Sequence, residues 1–406
     1  MTSPSKKGTA AIVGAGPAGL AAALALHQRG WEVRLYERYS EVKAAGNILN
    51  LWPTPQKALR ALGVDTEDLG APAFTQLRRH DGRIRAEFRM PASVVAEYNG
   101  GFIGLIRWGL YKRMIDALPE GILQLSHKFT KFTDLGDKVQ VEFEDREPCS
   151  VDLLVGADGI DSAVRKALWG DSPKRYHGLH LIGGWFLSDE PIGTRGVFAH
   201  DRTVQGSYTP IRHEGRNGYE WWVLEKWTPQ APFAVPDIRE YALERAAHFE
   251  EPLPSFIKRT DPAHTHRWEI VDRAPIKQWS KGRVTLIGDA AHPTSPYAAY
   301  GAGMSIEDGY FLGRSLADTD PSNTSDLLVA LQAFEDNRKP HTAKVSQQAF
   351  FTGKMFHRAP AWIRVLRDFV FDHSTLLQKI QGDAIPAHVI KELDSIEETS
   401  PRTVPN

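Results

Sequence analysis

Residues 283–293 read RVTLIGDAAHP, and residues 300–304 read YGAGM. The apolar, β-branched run 284–287 predicts a buried strand that ends at Gly288 and Asp289. The small residues from Gly301 predict the start of a helix, whose unpaired N–H groups and dipole favour an anion. A carboxylate beside such a helix start suits a ligand that carries hydroxyl groups and develops negative charge. Any strand–turn–helix of an α/β protein also fits this segment, so the other motifs of the chain decide its meaning.

A second glycine-rich segment, residues 14–19 (GAGPAG), lies near the N-terminus. The runs 10–13 and 32–36 predict strands on either side of a helix over 20–29, and the second strand ends at Glu37. This is the dinucleotide-binding fingerprint in its required context. Gly14 allows the tight turn, Gly16 lets the backbone approach a pyrophosphate, and Gly19 permits close helix–strand packing. Glu37 is placed to accept a pair of ribose hydroxyls.

A third motif, residues 154–159 (LVGADG), lies between these two and is followed by Ser162 and Arg165. In this order the three motifs resemble the signature set of class A FAD-dependent monooxygenases. This flavoprotein aromatic hydroxylase superfamily includes the salicylate and para-hydroxybenzoate hydroxylases. The resemblance covers nearly the whole chain and is specific for the superfamily, because three separate motifs stand in the right order and spacing. It says much less about the substrate.

The resemblance implies one tightly but non-covalently bound FAD. Glu37 and Arg38 would lie along its adenosine, and the loop at Gly46 would pass near the flavin. Arg107, which precedes a helix predicted over 110–118, would contact the phosphate or ribityl region as a bidentate donor. The residues alone equally permit Arg38 to be a solvated surface charge.

Two acids and one helix start complete the predicted cofactor site. The resemblance implies that Asp158 supports FAD, although it can also simply cap the turn that follows. It implies that Asp289 binds the ribityl chain and that the N–H groups of residues 301–303 face the pyrimidine edge of the flavin. The predicted FAD-binding residues are Gly14, Ala15, Gly16, Gly19, Glu37, Arg38, Gly46, Arg107, Asp158, Asp289, Gly301, Ala302 and Gly303.

Aromatic residues are dense between 185 and 279, in short alternating runs that predict an antiparallel sheet over the flavin. The predicted substrate-pocket residues are Gln205, Tyr208, Trp222, Tyr297, Tyr300 and Pro293, although aromatic residues in such a sheet are often core. We expect His292 and Pro293 at the flavin edge, and His200 and His213 at the surface. The sequence therefore names no general base. A phenol and a neutral flat ring, such as an indole or an amine-bearing ring, both fit this pattern.

One departure from the family's pattern lies in residues 297–301, where relatives carry glycines or a glutamine. Here Ala299 and Tyr300 add bulk beside the flavin. Further on, a helix is predicted over 304–316 with Glu307 and Asp308 on its exposed side. Another helix, over 327–345, resembles the helix that closes the FAD domain. The apolar segment 350–371 is expected to pack against the body or a dimer partner, and Pro360 argues against a membrane-surface role.

The fold class is predicted as α/β, with a Rossmann-type FAD-binding domain, an inserted antiparallel-sheet substrate domain and C-terminal helices. The FAD-binding domain is expected to comprise residues 1–75, 100–175 and 278–345. The substrate domain would comprise 76–99 and 176–277, and the C-terminal helical segment 346–406. A chain of 406 residues is long enough for two such domains.

The composition excludes several other classes. The chain has 42% hydrophobic and 24% charged residues, with a formal net charge of −1 and no basic stripe, so we expect no nucleic-acid partner. The single cysteine, Cys149, excludes an intrachain disulfide and a cysteine-cluster metal site, and it fits a reducing cytosol. No metal site, signal peptide or transmembrane span is predicted, and the protein is expected in the cytoplasm as a monomer or homodimer.

The resemblance implies a single-component oxidoreductase that uses FAD, NAD(P)H and O2 to hydroxylate an electron-rich aromatic or heteroaromatic small molecule through a flavin C4a-hydroperoxide. Because the chain has one dinucleotide fingerprint, NAD(P)H would be a transient co-substrate that reaches the flavin from outside. Two alternatives stay open. One is an FAD oxidoreductase of the same superfamily that does not insert oxygen, and the other is a redox-inactive flavin-fold binding protein. A halogenase is disfavoured, because residues 221–224 (WWVL) do not form the Trp-x-Trp-x-Ile-Pro motif.

Overall fold

The computed structural model describes residues 7–43, 48–98 and 100–396 of the chain. The predicted flavin-loop residue Gly46 lies outside them. The strands of the described part are β1 (Thr9–Val13), β2 (Glu32–Tyr36), β3 (Ile48–Leu51), β4 (Ala71–Arg79), β5 (Ile84–Glu87), β6 (Phe102–Ile106), β7 (Leu123–Gln124), β8 (Phe129–Asp134), β9 (Val139–Phe143), β10 (Arg146–Val151), β11 (Leu153–Gly156), β12 (Arg175–Ser188), β13 (Arg195–His200), β14 (Gln205–His213), β15 (Arg216–Lys226), β16 (Thr265–Asp272) and β17 (Val284–Leu286).

The α-helices of the described part are α1 (Pro17–Gln28), α2 (Pro53–Ala61), α3 (Ala92–Tyr98), α4 (Arg107–Asp116), α5 (Ala163–Trp169), α6 (Ile238–Ala246), α7 (Leu253–Arg259), α8 (Gly301–Ser315), α9 (Thr324–Gly353), α10 (Ala361–His373) and α11 (Ala384–Leu393). Short 3₁₀ turns cover Pro262–His264, Gly288–Ala290 and Pro296–Ala298, and π turns cover Lys354–Arg358 and Gln378–Asp383.

A five-stranded parallel sheet, in the order β17-β11-β1-β2-β7, forms the first layer. Its central strands are apolar and buried, as a sheet covered on both faces requires. Helix α1 packs against α8, and a Cβ atom on Gly309 would lie 2.5 Å from the Ala22 nitrogen, so glycine permits this close approach. This sheet with its crossover helix α1 is the predicted Rossmann-type unit, and that prediction is confirmed.

The second layer is a nine-stranded, mostly antiparallel sheet in the order β16-β12-β15-β14-β13-β4-β6-β3, with β5 on β4. A small antiparallel sheet, β10-β9-β8, flanks the parallel one. The predicted fold class is therefore confirmed. Strands β3 and β6, which the sequence-based division assigns to the FAD-binding segments, pair within the larger sheet. The division into domains stays a prediction.

The two faces of the larger sheet have different neighbours. One face packs under α6 and α7 and forms an apolar cluster that includes Tyr208, Trp221 and Phe256. Side chains alternate along a strand, so Glu220 and Trp222 point to the opposite face from Trp221. That opposite face lines a large cavity between the sheet and the FAD-binding layer.

The apolar segment 350–371 divides between interior and surface. Phe356 and Phe371 are buried, whereas Trp362, Val365, Leu366 and Phe369 of α10 are exposed. Their spacing of three and four residues places these exposed side chains on one stripe of the helix. Among the described residues, no helix is long and apolar enough to cross a membrane.

Candidate active site

The predicted cofactor motifs meet at one edge of the parallel sheet. In the register, Val13 lies opposite both Tyr36 and Gly156, and Gly156 lies opposite Leu286. Parallel strands end at the same edge. The residues that follow the strands therefore come together, namely the glycine turn after β1, Glu37 after β2, Asp158 after β11 and Asp289 after β17. The carboxyl edge of a parallel sheet is where open α/β folds bind their ligands.

Each fingerprint glycine has its own structural reason. Gly14 has a φ of +105°, and a Cβ atom there would lie 2.5 Å from the Ala157 carbonyl oxygen. A Cβ atom on Gly19 would overlap the Gly14 carbonyl oxygen, so the helix could not pack as closely on the strand. Gly16, in contrast, faces open space within the cavity lining. The first turn and the helix packing thus need glycine for the fold, whereas Gly16 leaves room for a ligand.

The two acids nearest the glycine turn bond to backbone. One Glu37 carboxylate oxygen accepts a hydrogen bond from the Ala15 N–H (3.0 Å), and the other accepts one from the Tyr39 N–H (3.1 Å). Asp158 accepts hydrogen bonds from the Ser162 hydroxyl and from the N–H groups of residues 163 and 164. This geometry supports the capping role of Asp158, and the residue also lines the cavity.

Arg165 connects the motif at residues 154–159 to the motif at residues 283–293. Its guanidinium donates to the Ala290 carbonyl oxygen at 3.4 Å and to the Ser172 hydroxyl at 3.1 Å. The side chain is buried, and desolvation together with nearby Arg273 lowers its pKa. Arg165, which follows the motif at residues 154–159, therefore holds the turn that carries Asp289.

Asp289 faces the cavity, where its side chain meets solvent. Desolvation by the surrounding protein raises the pKa of its carboxyl, while His292 and Arg107 oppose the shift. Arg107 begins α4 and also lines the cavity. An acid and an arginine that line the same cavity offer an acceptor for ligand hydroxyls and a donor for phosphate.

Glu307 and Asp308 are buried, so the prediction that they lie on the exposed side of their helix is wrong. Both have an exposed fraction of 0%. Arg338 of α9 donates to Glu307 at 2.9 Å and to Asp308 at 2.8 Å. Because α8 packs against α1, α2 and α9, these carboxylates are shielded from water and need a cation, which α9 supplies.

This buried ion cluster supports the cofactor turn. Asp308 also accepts hydrogen bonds from the Gly288 N–H (2.9 Å) and from His292 Nε2 (2.5 Å). Burial opposes its ionisation, but His292 and Arg338 lower the pKa of Asp308 to about 2. Glu307 accepts a hydrogen bond from the Tyr300 hydroxyl. The cluster thus holds both the turn before Asp289 and the tyrosine before the helix start.

A single cavity of about 1360 Å³ joins the motif edge to the aromatic sheet face. This volume exceeds the ~300–1,000 Å³ of ordinary small-molecule pockets and provides room for a dinucleotide and a second ligand. The predicted residues that line it are Gly14, Ala15, Gly16, Glu37, Arg38, Arg107, Asp158, Gln205, Trp222, Asp289, Tyr297, Tyr300, Gly301 and Ala302.

Several predicted site residues lie elsewhere. Tyr208 packs against Phe256 on the opposite sheet face, so its assignment to the substrate pocket is wrong. Pro293 is buried outside the cavity lining. His292 bonds to Asp308 and does not line the cavity. Gly303 packs against the Tyr300 ring and does not line the cavity.

His200 is buried and lines the cavity, so the prediction that it lies at the surface is wrong. It ends β13 opposite Gln205, and its ring lies 4.4 Å from Phe356. Desolvation lowers its pKa well below the ordinary value, and the neighbouring His357 and Arg367 disfavour its protonation further. The imidazole is therefore neutral at physiological pH. His213, the other histidine expected at the surface, is half-buried.

Tyr297 and His357 form a hydrogen-bonded pair in the same region of the protein as His200. The Tyr297 hydroxyl contacts His357 Nε2, and His357 Nδ1 lies 2.9 Å from the Thr203 carbonyl oxygen. A carbonyl oxygen only accepts, so Nδ1 carries the proton and Nε2 accepts from the tyrosine. Burial lowers the pKa of His357 to about 4, which keeps this arrangement neutral.

The loop before α8 is held in an unusual conformation. Ala299 has a φ of +48°, the left-handed region that glycine adopts most easily. The Trp52 indole N–H donates to the Ala299 carbonyl oxygen at 2.8 Å, and the Trp52 ring meets Tyr300 edge-on. The Tyr300 side chain therefore adds bulk and a ring contact at the cavity wall.

Sequence reasoning missed four residues of this region, namely His200, Glu220, Arg338 and His357. The period of two along a strand was a usable signal for two of them. Residues two apart on a strand share one face of the sheet. Glu220 therefore shares a face with Trp222, and His200 shares one with Phe198 on β13; all four line the cavity. Nothing local identifies Arg338 or His357, because both reach the site from α9 and the turn after it.

One group outside the cofactor edge has metal-ligand chemistry, although the sequence predicted no metal site. The ligand-type atoms of His341, His388 and Glu392 lie within 4.8 Å of one another. The His388 and His341 rings share a hydrogen bond of 3.1 Å, and Glu392 lies 3.5 Å from His341. A hydrogen-bonded cluster accounts for this arrangement.

The described residues fit FAD. Gly16 leaves open space at the start of α1, where first-turn N–H groups and the helix dipole favour a pyrophosphate. Glu37 lies beside this loop, and Asp289 and the start of α8 lie further along the same cavity. These donors and acceptors match an adenosine, a pyrophosphate, a ribityl chain and an anionic ring edge in that order.

Comparison with known proteins agrees with this site. Residues 7–349 match the FAD binding domain family. The 3-amino-4-hydroxybenzoate 2-monooxygenase of Streptomyces platensis is 30% identical over 372 residues, which cover 88% of this chain and 91% of the relative. The 6-hydroxynicotinate 3-monooxygenase of Pseudomonas fluorescens is 28% identical over 351 residues, which cover 83% and 89%. Klebsiella pneumoniae HpxO, solved with FAD and uric acid, has a TM-score of 0.83 at 25% identity and covers 96% of this chain and 98% of its own.

The chain therefore belongs to the FAD binding domain family, and within it to the class A flavoprotein aromatic hydroxylases. The protein is an FAD-dependent monooxygenase, and the prediction of an oxidoreductase that binds FAD is confirmed.

Proposed function

We propose that this monooxygenase uses NAD(P)H and O2 to hydroxylate a neutral, flat, electron-rich aromatic or heteroaromatic ring. The observation that carries the proposal is the single cavity that joins the cofactor edge to an aromatic sheet face. Bound FAD supplies the redox chemistry, namely acceptance of a hydride and activation of O2 for insertion. The chain supplies binding, orientation and the exclusion of water.

The cofactor end would hold FAD through the predicted residues that line the cavity. Glu37 would accept the ribose hydroxyls, the N–H groups at the start of α1 would bind the pyrophosphate, and Asp289 would accept the ribityl hydroxyls. The first-turn N–H groups of Gly301 and Ala302 would stabilise negative charge on the ring edge. We propose a tight but non-covalent complex.

The substrate end favours an uncharged ring. Apolar and aromatic side chains, including Phe198, Trp222 and Leu224, line it. The arginine beside it, Arg367, already donates to the carbonyl oxygens of residues 355 and 356 and to Asp368. Its charge is therefore compensated within the protein. The uric acid in the HpxO structure is likewise a flat nitrogen heterocycle.

His200 is our proposed proton acceptor for the ring hydroxyl or ring N–H. It lines the cavity, its ring is neutral, and among the described residues its Nε2 has no hydrogen-bond partner, so this nitrogen is available to a substrate. His200→Gln should lower the turnover of a hydroxyl-bearing substrate at least tenfold, while flavin reduction by NAD(P)H stays unchanged. Equal turnover by the two proteins across pH 6–9 would exclude this role.

The remaining parts of the proposal concern the reductant and the setting of the enzyme. The chain carries one dinucleotide fingerprint, which FAD occupies, so NAD(P)H would approach the flavin from outside and leave before oxygen insertion. The division into FAD-binding, substrate and C-terminal parts, the cytoplasmic location and the monomeric or homodimeric state stay predictions.

The test uses the FAD-loaded protein with NADH and NADPH in turn. Anaerobic stopped-flow absorbance would report flavin reduction, and a panel of neutral aromatic rings would be screened for faster reduction. Turnover under ¹⁸O2 should place one labelled oxygen in the product. Reduction without incorporation of label in any product would instead support an oxidoreductase that does not insert oxygen. Absence of flavin reduction by either nucleotide would refute the proposed reductant.

A further inference from the structure

A buried carboxyl in the cavity wall has no assigned role. Glu220 lies on β15 between Trp185 of β12 and Thr209 of β14, and it shares its sheet face with Trp222. Its exposed fraction is 0%, and it lines the cavity. A buried carboxyl that contacts a cavity but takes no part in the fold's ion pairs is a candidate for ligand recognition.

Within the described part of the protein, the side chain that interacts with its polar atoms is Asn50, and this contact lacks the geometry of a full hydrogen bond. Neither oxygen of Glu220 has a hydrogen-bond partner of good geometry there, and the side-chain oxygen of Asn50 has none either. The Asn50 amide lies close enough to act on the carboxyl's ionisation. Asn50 also lines the cavity, on β3. Buried groups of this kind are costly to leave unpaired, so two adjacent ones point to a ligand that pairs with them.

The protonation state of Glu220 defines the ligand chemistry. Burial raises the pKa of its carboxyl to about 8, and the nearby Asn50 amide opposes the shift only in part. Among the described residues, no charged side chain contributes to this shift. At neutral pH the group is therefore a carboxylic acid with one O–H donor and one carbonyl acceptor side by side.

A cyclic amide presents the complementary edge, because its ring N–H lies next to its carbonyl oxygen. Two parallel hydrogen bonds then pair the ligand with the carboxylic acid. We propose that Glu220, assisted by Asn50, is the specificity-determining residue for a substrate ring that carries an N–H beside a C=O. This inference rests on the proposed function and names the substrate class of the same cavity.

The flavin's own pyrimidine ring has an edge of the same chemistry, so there are two sources for this ligand group. The position of Glu220 favours the substrate. It lies two residues from Trp222 on the aromatic sheet face, whereas the residues proposed to bind the flavin, Asp289 and the start of α8, lie outside that sheet. An experiment must therefore measure FAD affinity and ring affinity separately.

The experiment uses the FAD-loaded enzyme and two probes, 2-quinolinone and 1-methyl-2-quinolinone. These share one ring system, and the second lacks the N–H donor. Changes in flavin absorbance on titration give the Kd of each probe, and flavin fluorescence gives the Kd of FAD. The variants are Glu220→Leu, which removes both polar atoms, and Glu220→Gln, which keeps a donor and an acceptor. The control is Glu225→Gln, a buried carboxyl of the same strand that bonds to His180 and Arg245 outside the cavity.

We expect wild type, Glu220→Gln and the control to bind 2-quinolinone at least tenfold more tightly than its methyl derivative. Glu220→Leu should reduce this ratio to within about twofold, with the Kd of FAD unchanged. A ratio in Glu220→Leu equal to that of wild type would overturn the proposal. If that variant also bound FAD tenfold more weakly, the pairing partner would be the flavin.

Two further results would refute the substrate class. One is failure of wild type to bind either probe at its solubility limit, and the other is tighter binding of the cationic analogue 2-aminoquinoline than of 2-quinolinone. Failure of the proposed function itself has a separate signature, because probe binding requires no turnover. An enzyme that discriminates between the probes but consumes no O2 with NAD(P)H would retain the inference about Glu220 and lose the proposed reaction.

Discussion

Replacing Glu220 with glutamine should stabilise the protein, and the gain should grow with pH. The side chain is fully buried, and the pKa of its carboxyl is about 8 in the fold against 4.5 for the ordinary group. Between these two values the unfolded chain releases the proton while the folded chain keeps it. The folded state therefore loses stability as pH rises through this window, by about 1.4 kcal/mol per pH unit.

The total effect is on the order of 5 kcal/mol, present in full above about pH 8 and absent below about pH 4.5. Glutamine does not titrate, and the two proteins share every other ionisable group. The difference in their stability thus isolates Glu220. At roughly 2.1 cal/mol/K of unfolding entropy per residue, the Tm advantage of Glu220→Gln should grow by about 3 °C between pH 5.5 and pH 7.5.

Thermal unfolding of the two proteins, followed by circular dichroism in half-unit pH steps from 5 to 9, would test this. Glu225→Gln is the control, and its Tm difference from wild type should stay constant from pH 5 to 9. Burial opposes ionisation of Glu225, but His180, Tyr241 and Arg245 outweigh it and lower the pKa of this carboxyl. The stability that Glu225 contributes is present above its unfolded pKa and lost as pH falls. A Tm difference for Glu220→Gln that stays constant across the whole range would show that Glu220 titrates normally and would refute the reasoning.

Three other substitutions test the site. Gly14→Val should abolish bound flavin absorbance, since its Cβ would lie 2.5 Å from a carbonyl oxygen of the neighbouring turn; full flavin content would contradict this assignment. Asp289→Ala should lower FAD occupancy, and added FAD should restore turnover in part; normal FAD binding with no turnover would make Asp289 catalytic. Arg338→Met should destabilise the protein by about 3–5 kcal/mol, because Glu307 and its neighbouring aspartate stay buried without their cation. Chemical denaturation would measure that loss, and a change below about 1 kcal/mol would exclude the pairing as a stabilising contact.

The motifs were predictable because each depends on a short stretch of backbone. A strand, a glycine turn and a helix follow from local pattern, and Gly14 and Gly19 are required by contacts within the fingerprint or with its parallel neighbours. The parallel order then brings Glu37 and Asp289 to one edge, as the strand ends of such a sheet require. The strand and helix positions around these motifs agree with the structure for the same reason.

The pocket was harder to predict because a residue's type does not say which face it occupies. Gln205 and Tyr208 were both predicted for the pocket. They lie an odd number of residues apart on β14, so they face opposite sides of the sheet. Helices α6 and α7 cover the sheet face on which Tyr208 lies, so the alternation of side chains excludes Tyr208 from the pocket. The same rule admits Glu220 and His200, which the sequence offered only as an acid and a histidine among many.

The sequence by itself determined the class of fold, the cofactor and the edge at which the cofactor binds, because these depend on local backbone patterns and on the geometry of parallel strands. Only the tertiary structure decided which polar groups are buried. Glu307 and Asp308 have the composition of an exposed helix face, and they are interior because α9 covers them and brings Arg338. Burial depends on packing between segments far apart in the chain. Burial is the largest influence on the protonation of Glu220 and His200, and therefore on the chemistry that the cavity presents to a substrate.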